Sequence, residues 1–388
     1  MDDHDGARGN DAGRSGVDRR RFLAGVGTAG LAATAGCLGE YLGDDGSDAR
    51  QDVELFGSMR LPPESRGGTP MAELPDLSGE LTVYSGRHQW LVGDLLTYVE
   101  TQYEDFSITP RYESSQNLAN KILTAGDAAK ADVFYSVNAG ALGQLANEGR
   151  TLQLPDAVLD MVPDTYQAND GGWTGVSGRA RTVPYNTNRL DASDVPKDIG
   201  AFPERETFEN EIGWAPGYGS FQAFVTAMRV LRGPEATKEW LQAMDDAGVE
   251  RYGNEQLVAQ AVANGEISLG FTNHYYVQRV LANDPDAPVA TAFTRNDAGA
   301  IFNVAGAAVV DTVGDRSLAE NFVRHLLSAE AQEYFAVQTF EYPLVPDVEP
   351  VGDLPSVDEL QPPENFDLTK LSNLEPTLKL MRDVGIRV

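Results

Sequence analysis

The sequence predicts a two-lobed α/β protein whose lobes are joined by more than one crossing of the chain. Three observations carry this expectation. A chain of 388 residues is long enough to bury two cores. Short apolar strands alternate with segments of helical period in two successive blocks, as in parallel sheets covered on both faces. A further apolar strand, Ala305–Val310, returns after the second block, so the lobes share more than a single linker.

In chain order, "GELTVYSG" (Gly79–Gly86) alternates as a strand and ends in a glycine turn, and Trp90–Tyr103 follows with helical spacing. "FSITPRYES" reads as a second strand, "NLANKILTAGDAA" as a second helix and Ala131–Val137 as a third, nearly all-apolar strand. The second block reads as strand "EIGWAP", helices "SFQAFVTAMRVL" and "GPEATKEWLQAM", then "LVAQAVANGE", strand "ISLGF" and a helix starting near Tyr275. After the returning strand, "RSLAENFVRHLLSAEAQEYFA" is a clear amphipathic helix. Ligands of such open sheets bind at the carboxyl ends of strands, in the crevice.

Acidic residues outnumber basic ones by 59 to 30, a formal charge of −29, and only six of the basic residues are lysine. The acids are spread through every segment, and no basic stripe exists to meet phosphates, which argues against nucleic acid as a partner. A dispersed acidic surface poor in lysine suits molar salt, where the Debye length falls to about 3 Å and self-repulsion is screened.

The N-terminal stretch reads as an address. Arg19, Arg20 and Arg21 precede Phe22 and Leu23 and a small, glycine-rich apolar run. The run is short of the ~20 apolar residues of a spanning helix but suits a signal h-region. It resembles a twin-arginine export signal. "TAGC" resembles a lipobox ending at Cys37, the one cysteine of the chain, so no disulfide can form within it. Residues 1–37 are therefore expected to be an export signal with lipobox. Residues 38–78, rich in Gly, Asp and Pro, are expected to be a flexible linker. Together they predict a lipid-anchored protein on the outer face of the cell membrane.

No P-loop, G-x-S-x-G elbow, H-E-x-x-H or C-x-x-C occurs, and no nucleophile–base pair stands out. "PGYGSF" (Pro216–Phe221) is a glycine-rich turn opening a helix, where unpaired N–H groups favour an anion. Of four histidines, His88 follows the first strand, His274 precedes Tyr275 and Tyr276, and His325 sits in the amphipathic helix with a structural role expected. On the first turn of a helix, neighbouring side chains diverge by ~100°, so both phenols can reach one point beyond its N-terminus. A hard trivalent cation such as Fe³⁺ would hold them as phenolates. From spacing alone, aromatic core packing is the better account of the pair.

The motifs "LTVYSGRH", "ADVFYSVNAGAL", "GVSGRARTVPYNT", "IGWAPGYGSF", "NEQLVAQAVANGEI", "TNHYY" and "EYPLVP", in that order, resemble the periplasmic ferric-iron-binding proteins of ABC iron importers. The resemblance covers residues 79–388. It implies the type II periplasmic-binding-protein (Venus-flytrap) fold with a hinge of crossing strands, lobes of 79–180 plus 305–350 and of 181–304 plus 351–388, and no enzymatic turnover. It implies Fe³⁺ as cargo, a monomer, and delivery to an ABC permease and its ATPase. By motif position it places metal ligands at His88, Tyr275 and Tyr276. One branch of the family adds a glutamate where this chain has Val137; another uses a third tyrosine after "RAR", a place that Tyr185 occupies. A phosphate or carbonate would sit by Gly219 and Ser220, with Asn138, Asn254 and Asn273 around it and Arg179 and Arg181 nearby. Tyr218 replaces the usual serine of that turn. Two other readings stand beside this one. The same fold could take a thiamine-like cation stacked on Tyr84, Trp214, Tyr218 or Tyr275, or a phosphonate; or the chain could be a tethered hydrolase.

Overall fold

The computed structural model describes residues 55–56, 59–364 and 366–388. The first lobe is built on β1 (Gly79–Ser85), α1 (Gln89–Gln102), β2 (Phe106–Tyr112), α2 (Ser115–Ala125), β3 (Val133–Ser136) and α3 (Ala139–Asn147). β1 pairs in parallel with both β2 and β3. All four residues of β3 are buried, as a strand covered on both faces requires.

β4 (Thr174–Asn186) then runs 13 residues from one lobe into the other. Glycines and arginines interrupt its alternation, which is why periodicity alone passes over it. The second lobe contains β5 (Ile212–Trp214), α4 (Gly219–Arg232), α5 (Pro234–Asp246), β6 (Glu250–Arg251) and α6 (Glu255–Ala263). It continues through β7 (Leu269–Gly270), β8 (Thr272–Asn273), α7 (His274–Asn283) and β9 (Val289–Ala292). β5 is parallel to β6 and β7, whereas β7, β8 and β9 run antiparallel to the far half of β4.

β10 (Phe302–Val309) returns to pair antiparallel with β3 and with the near half of β4. It starts three residues before the sequence expectation because Phe302 is buried against Tyr166 and Tyr342. α8 (Arg316–His325), α9 (Ala329–Tyr334), a π-helical turn over Phe335–Thr339, β11 (Tyr342–Pro343) and, in the tail, α10 (Glu375–Asp383) complete the fold. His325 has the structural role expected: its Nε2 lies 2.6 Å from the Tyr103 hydroxyl, and its Nδ1 2.7 Å from the Asn321 carbonyl.

Buried apolar side chains fall into three clusters on two bodies. One cluster draws on 55–180 and 302–354, and the other two, side by side in sequence on the second body, draw on 183–301 and 371–386. The chain passes between them within β4, just ahead of β10, and again near Leu368, which packs against both. This last passage lies close on α3. A Cβ on Gly143 would run into the Thr369 side chain, and one on Gly140 would stand 2.6 Å from Ser372 Cβ.

The expected flexible linker does not extend to residue 78. From Phe56 onward the segment is strapped to the first lobe, with Phe56, Leu61, Met71, Leu74 and Leu77 buried. Arg60 donates two 2.9 Å hydrogen bonds to Glu333, and the Leu61 N–H a third of 2.8 Å. Gln338 donates to the Phe56 carbonyl, Ala329 N–H to Thr69, and Met71 N–H to Glu330. Hydrophobic residues spaced among the glycines and prolines supply the anchoring. Arg19, Arg20 and Cys37 lie outside the described residues. Among the described residues no helix is long and apolar enough to cross a membrane.

Candidate metal centre

Helix starts build the site. His88 is the N-cap of α1, Asn138 of α3, Tyr218 of α4, Asn254 of α6 and Asn273 of α7. Each follows the carboxyl end of a strand, so within each lobe the positive ends of helix dipoles meet the crevice. Asn138 and Asn254 use their side-chain oxygens as caps, accepting from Ala141 and Leu257 N–H. Asn273 makes no side-chain cap; its amide donates instead to the Tyr275 hydroxyl at 3.2 Å.

The expectation that Tyr275 and Tyr276 share a first helical turn holds, since α7 begins at His274. Their hydroxyl oxygens are 3.4 Å apart, with Tyr275 donating to Tyr276. A third phenol joins them: the Tyr218 and Tyr276 oxygens stand 2.6 Å apart. An octahedral ion with metal–oxygen bonds near 2.0–2.1 Å spans neighbouring oxygens about 2.9 Å apart, which these two separations bracket. Burial pushes the Tyr275 phenol above its ordinary value, while the Arg179 guanidinium pulls it down. Tyr276 is also pushed up, by burial first and then by Tyr275. The two are therefore neutral phenols at neutral pH, and a metal must displace their protons.

Tyr185 is not part of this cluster. β4 pairs Arg181 with Asn273, but Tyr185 with Leu269 and Ala290. Four residues of strand carry it roughly 13 Å further into the second lobe. There it is buried in the core, its phenol pushed up by burial and by Asp191. The third tyrosine is Tyr218, whose signal in the sequence was its place in the glycine-rich turn already marked for anion binding. That turn remains open: among the described residues a Cβ on Gly217 or Gly219 would meet nothing within 4 Å, and the buried Ser220 hydroxyl has no hydrogen-bond partner.

His88 is exposed, its ring stacked on Trp90 at 5.9 Å. The Trp90 ring lies 5.8 Å from the Arg279 guanidinium, which also covers the Tyr275 and Tyr276 rings. His274 turns away from the crevice. It is fully buried, with Nδ1 3.2 Å from Ala180 N, and burial lowers its pKa to about 4. Val137 contributes backbone alone, its carbonyl accepting from Arg179. Arg181 is held by the buried Glu255, whose other oxygen accepts from Asn273 N–H at 3.0 Å. Among the described residues no group of three His, Cys, Asp or Glu side chains could hold a metal, so a metal here would rest on phenols.

Two lobes meeting over converging helix starts, with an open polar cluster at the crossing, define a solute-capturing protein of the Venus-flytrap kind. The chain belongs to the bacterial extracellular solute-binding proteins, whose family model matches residues 96–361. It is a solute-binding protein, not an enzyme. It is 29% identical over 313 residues to the major ferric iron-binding protein of Neisseria meningitidis, covering 79% of this chain and 93% of that one. Iron uptake protein A1 of Synechocystis is 27% identical over 353 residues, covering 86% and 93%. The structure of iron-bound HitA from Pseudomonas aeruginosa superposes with a TM-score of 0.69 at 27% identity, covering 80% of this chain and all of that one.

Proposed function

We propose that this protein captures ferric ion outside the cytoplasm and delivers it to an ABC permease and its ATPase. The observation that carries the reading is the convergence of Tyr218, Tyr275 and Tyr276 through their hydroxyls. Three phenolates neutralise Fe³⁺, and hard oxygen donors suit it. His88, at the facing helix start, completes the shell on closure, together with a phosphate or carbonate at the opening of α4 by Gly219 and Ser220. The Asn273 amide supports Tyr275, and Asn138 and Asn254 line the crevice as caps. The relatives named for ferric ion support the same cargo. Export through Arg19 and Arg20, a lipid anchor on Cys37 and a monomeric state complete the proposal.

Specific contacts disfavour an organic cation. Tyr84 and Trp214 are buried in the cores, and the rings of Tyr275 and Tyr276 already carry the protein's own cation, Arg279. The test is metal analysis of the purified protein with its visible spectrum. One iron per chain and a phenolate-to-iron absorption band are expected, and the band should vanish in a Tyr275→Phe/Tyr276→Phe double variant. Absence of bound iron after exposure to a ferric chelate would refute the reading.

A further inference from the structure

We propose that Arg279 is a positioning residue of this site, holding the Tyr275 and Tyr276 rings, and that with Trp90 it latches the two lobes together. The proposal rests on the ferric reading for its iron readouts, but its geometry stands independently. Arg279 follows Tyr275 and Tyr276 by four and three residues on α7, so helical spacing sets its guanidinium beside both rings. It lies 5.1 Å from the Tyr275 ring centre and 5.6 Å from that of Tyr276. Among the described residues no ion pair or hydrogen bond of its guanidinium occurs; its contacts are rings.

The third ring comes from the other lobe. Trp90, on the first turn of α1, is 69% exposed. Its indole stands 5.8 Å from the Arg279 guanidinium and stacks on His88 at an interplanar angle of 13°. A continuous stack, His88–Trp90–Arg279–Tyr275/Tyr276, thus crosses the crevice. The indole makes this contact while 69% exposed, so it bridges the lobes without being packed into either core.

The contacts of the Arg279 guanidinium with Tyr275, Tyr276 and Trp90 are each a modest attraction. Arg279 thereby holds the ligand rings in place and also meets Trp90 from the first lobe. A contact between the lobes stabilises the state in which they lie together, and so supplies differential affinity for closure.

The experiment compares Trp90→Ala, Trp90→Phe, Arg279→Met and Arg279→Lys with the unsubstituted protein. Readouts are the position and intensity of the phenolate-to-iron band, the rate of iron loss to excess chelator, and small-angle scattering with and without Fe³⁺. Trp90→Ala should leave the band unchanged, release iron about two- to five-fold faster, and expand the loaded protein. Trp90→Phe should restore most of the retention. Arg279→Met should shift the band and speed release about ten-fold, with Arg279→Lys between. Wild-type release and scattering in Trp90→Ala overturn the latch, and a wild-type band in Arg279→Met overturns the positioning role. If the unsubstituted protein takes up no iron, the ferric reading fails by itself. The latch is then judged on metal-free scattering: expansion by Trp90→Ala supports it, and identical curves overturn it.

Discussion

Ferric capture by neutral phenols must release protons, and Tyr218→Phe measures how many. The 2.6 Å contact between the Tyr218 and Tyr276 oxygens requires a proton between them, and burial holds Tyr275 and Tyr276 above ordinary phenol values. Every phenol that binds as phenolate gives up one proton, so each contributes about 1.36 kcal/mol of affinity per pH unit. Three phenolates make the apparent affinity rise about a thousand-fold per pH unit, some 4 kcal/mol, across the neutral range. Tyr218→Phe removes one of those protons and one negative charge. The logarithm of affinity should then climb with a slope of about two instead of three. The metal-free variant should also lose about 1 kcal/mol of stability with the lost hydrogen bond. Competition against a chelator of known ferric affinity at several pH values gives the slope, and chemical denaturation gives the stability. A Tyr218→Phe protein with the unsubstituted slope would show that Tyr218 is not a ligand, whatever its place in the cluster.

Tyr185→Phe should leave the iron band and affinity unchanged and shift stability by less than about 1 kcal/mol, read by spectroscopy and urea unfolding; a lost band would return Tyr185 to the site. Glu333→Ala should release the N-terminal strap, costing about 2 kcal/mol because Arg60 is partly exposed to water, and should expose the bonds after Arg60 and Arg66 to trypsin. Unfolded phenols ionise near ~10, whereas burial raises Tyr166 and Tyr334 to about 12 and also raises Tyr275 and Tyr276. The folded chain therefore holds more protons in alkali: stability from these groups is intact below about pH 10 and falls as pH rises past it, which denaturant midpoints will show. With 59 acidic and 30 basic residues, the unfolding midpoint should rise as KCl is raised toward ~1 M, and a midpoint indifferent to salt would contradict the screening argument.

What was legible in the sequence follows from which signals are local. Strand-to-helix junctions carry a period change at a fixed place, so "SGRHQW", "APGYGS" and "TNHYY" marked helix starts that the fold brings to the crevice, whereas Asn138 and Asn254 were named only through the resemblance and their helices were not read. Tyr185 was misplaced because strand register is not local. Only the pairing of Arg181 with Asn273 shows that a residue four places on has passed the crevice. Tyr218 was seen but read as a lost serine, because its partner Tyr276 lies 58 residues away in sequence. β4 was passed over since glycines and buried arginines mask a strand whose two halves belong to different lobes. The strap was read as linker from its composition, although a few buried apolar residues and Arg60 suffice to dock it.

All three phenols belong to the second lobe, and this orders the events of capture. Tyr218 opens α4, and Tyr275 and Tyr276 open α7. α7 is fixed to the crossing strand by His274 against Ala180, and through Asn273, Glu255 and Arg181 to the point where Arg181 N–H meets Ile301. A rotation about the crossing therefore carries the tyrosines as one body with the second lobe. On the ferric reading, the open protein already holds the three phenol ligands and needs no closure to take the ion. The first lobe contributes His88, Trp90 and the helix start at Asn138, groups that add retention once the ion is in place. Binding then precedes closing, and the phenols govern affinity at low occupancy of the closed state. The facing helix starts govern how slowly iron leaves. A first-lobe substitution such as His88→Ala should accordingly change the rate of iron loss more than the rate of uptake, and the reverse result would place the entry step on the first lobe.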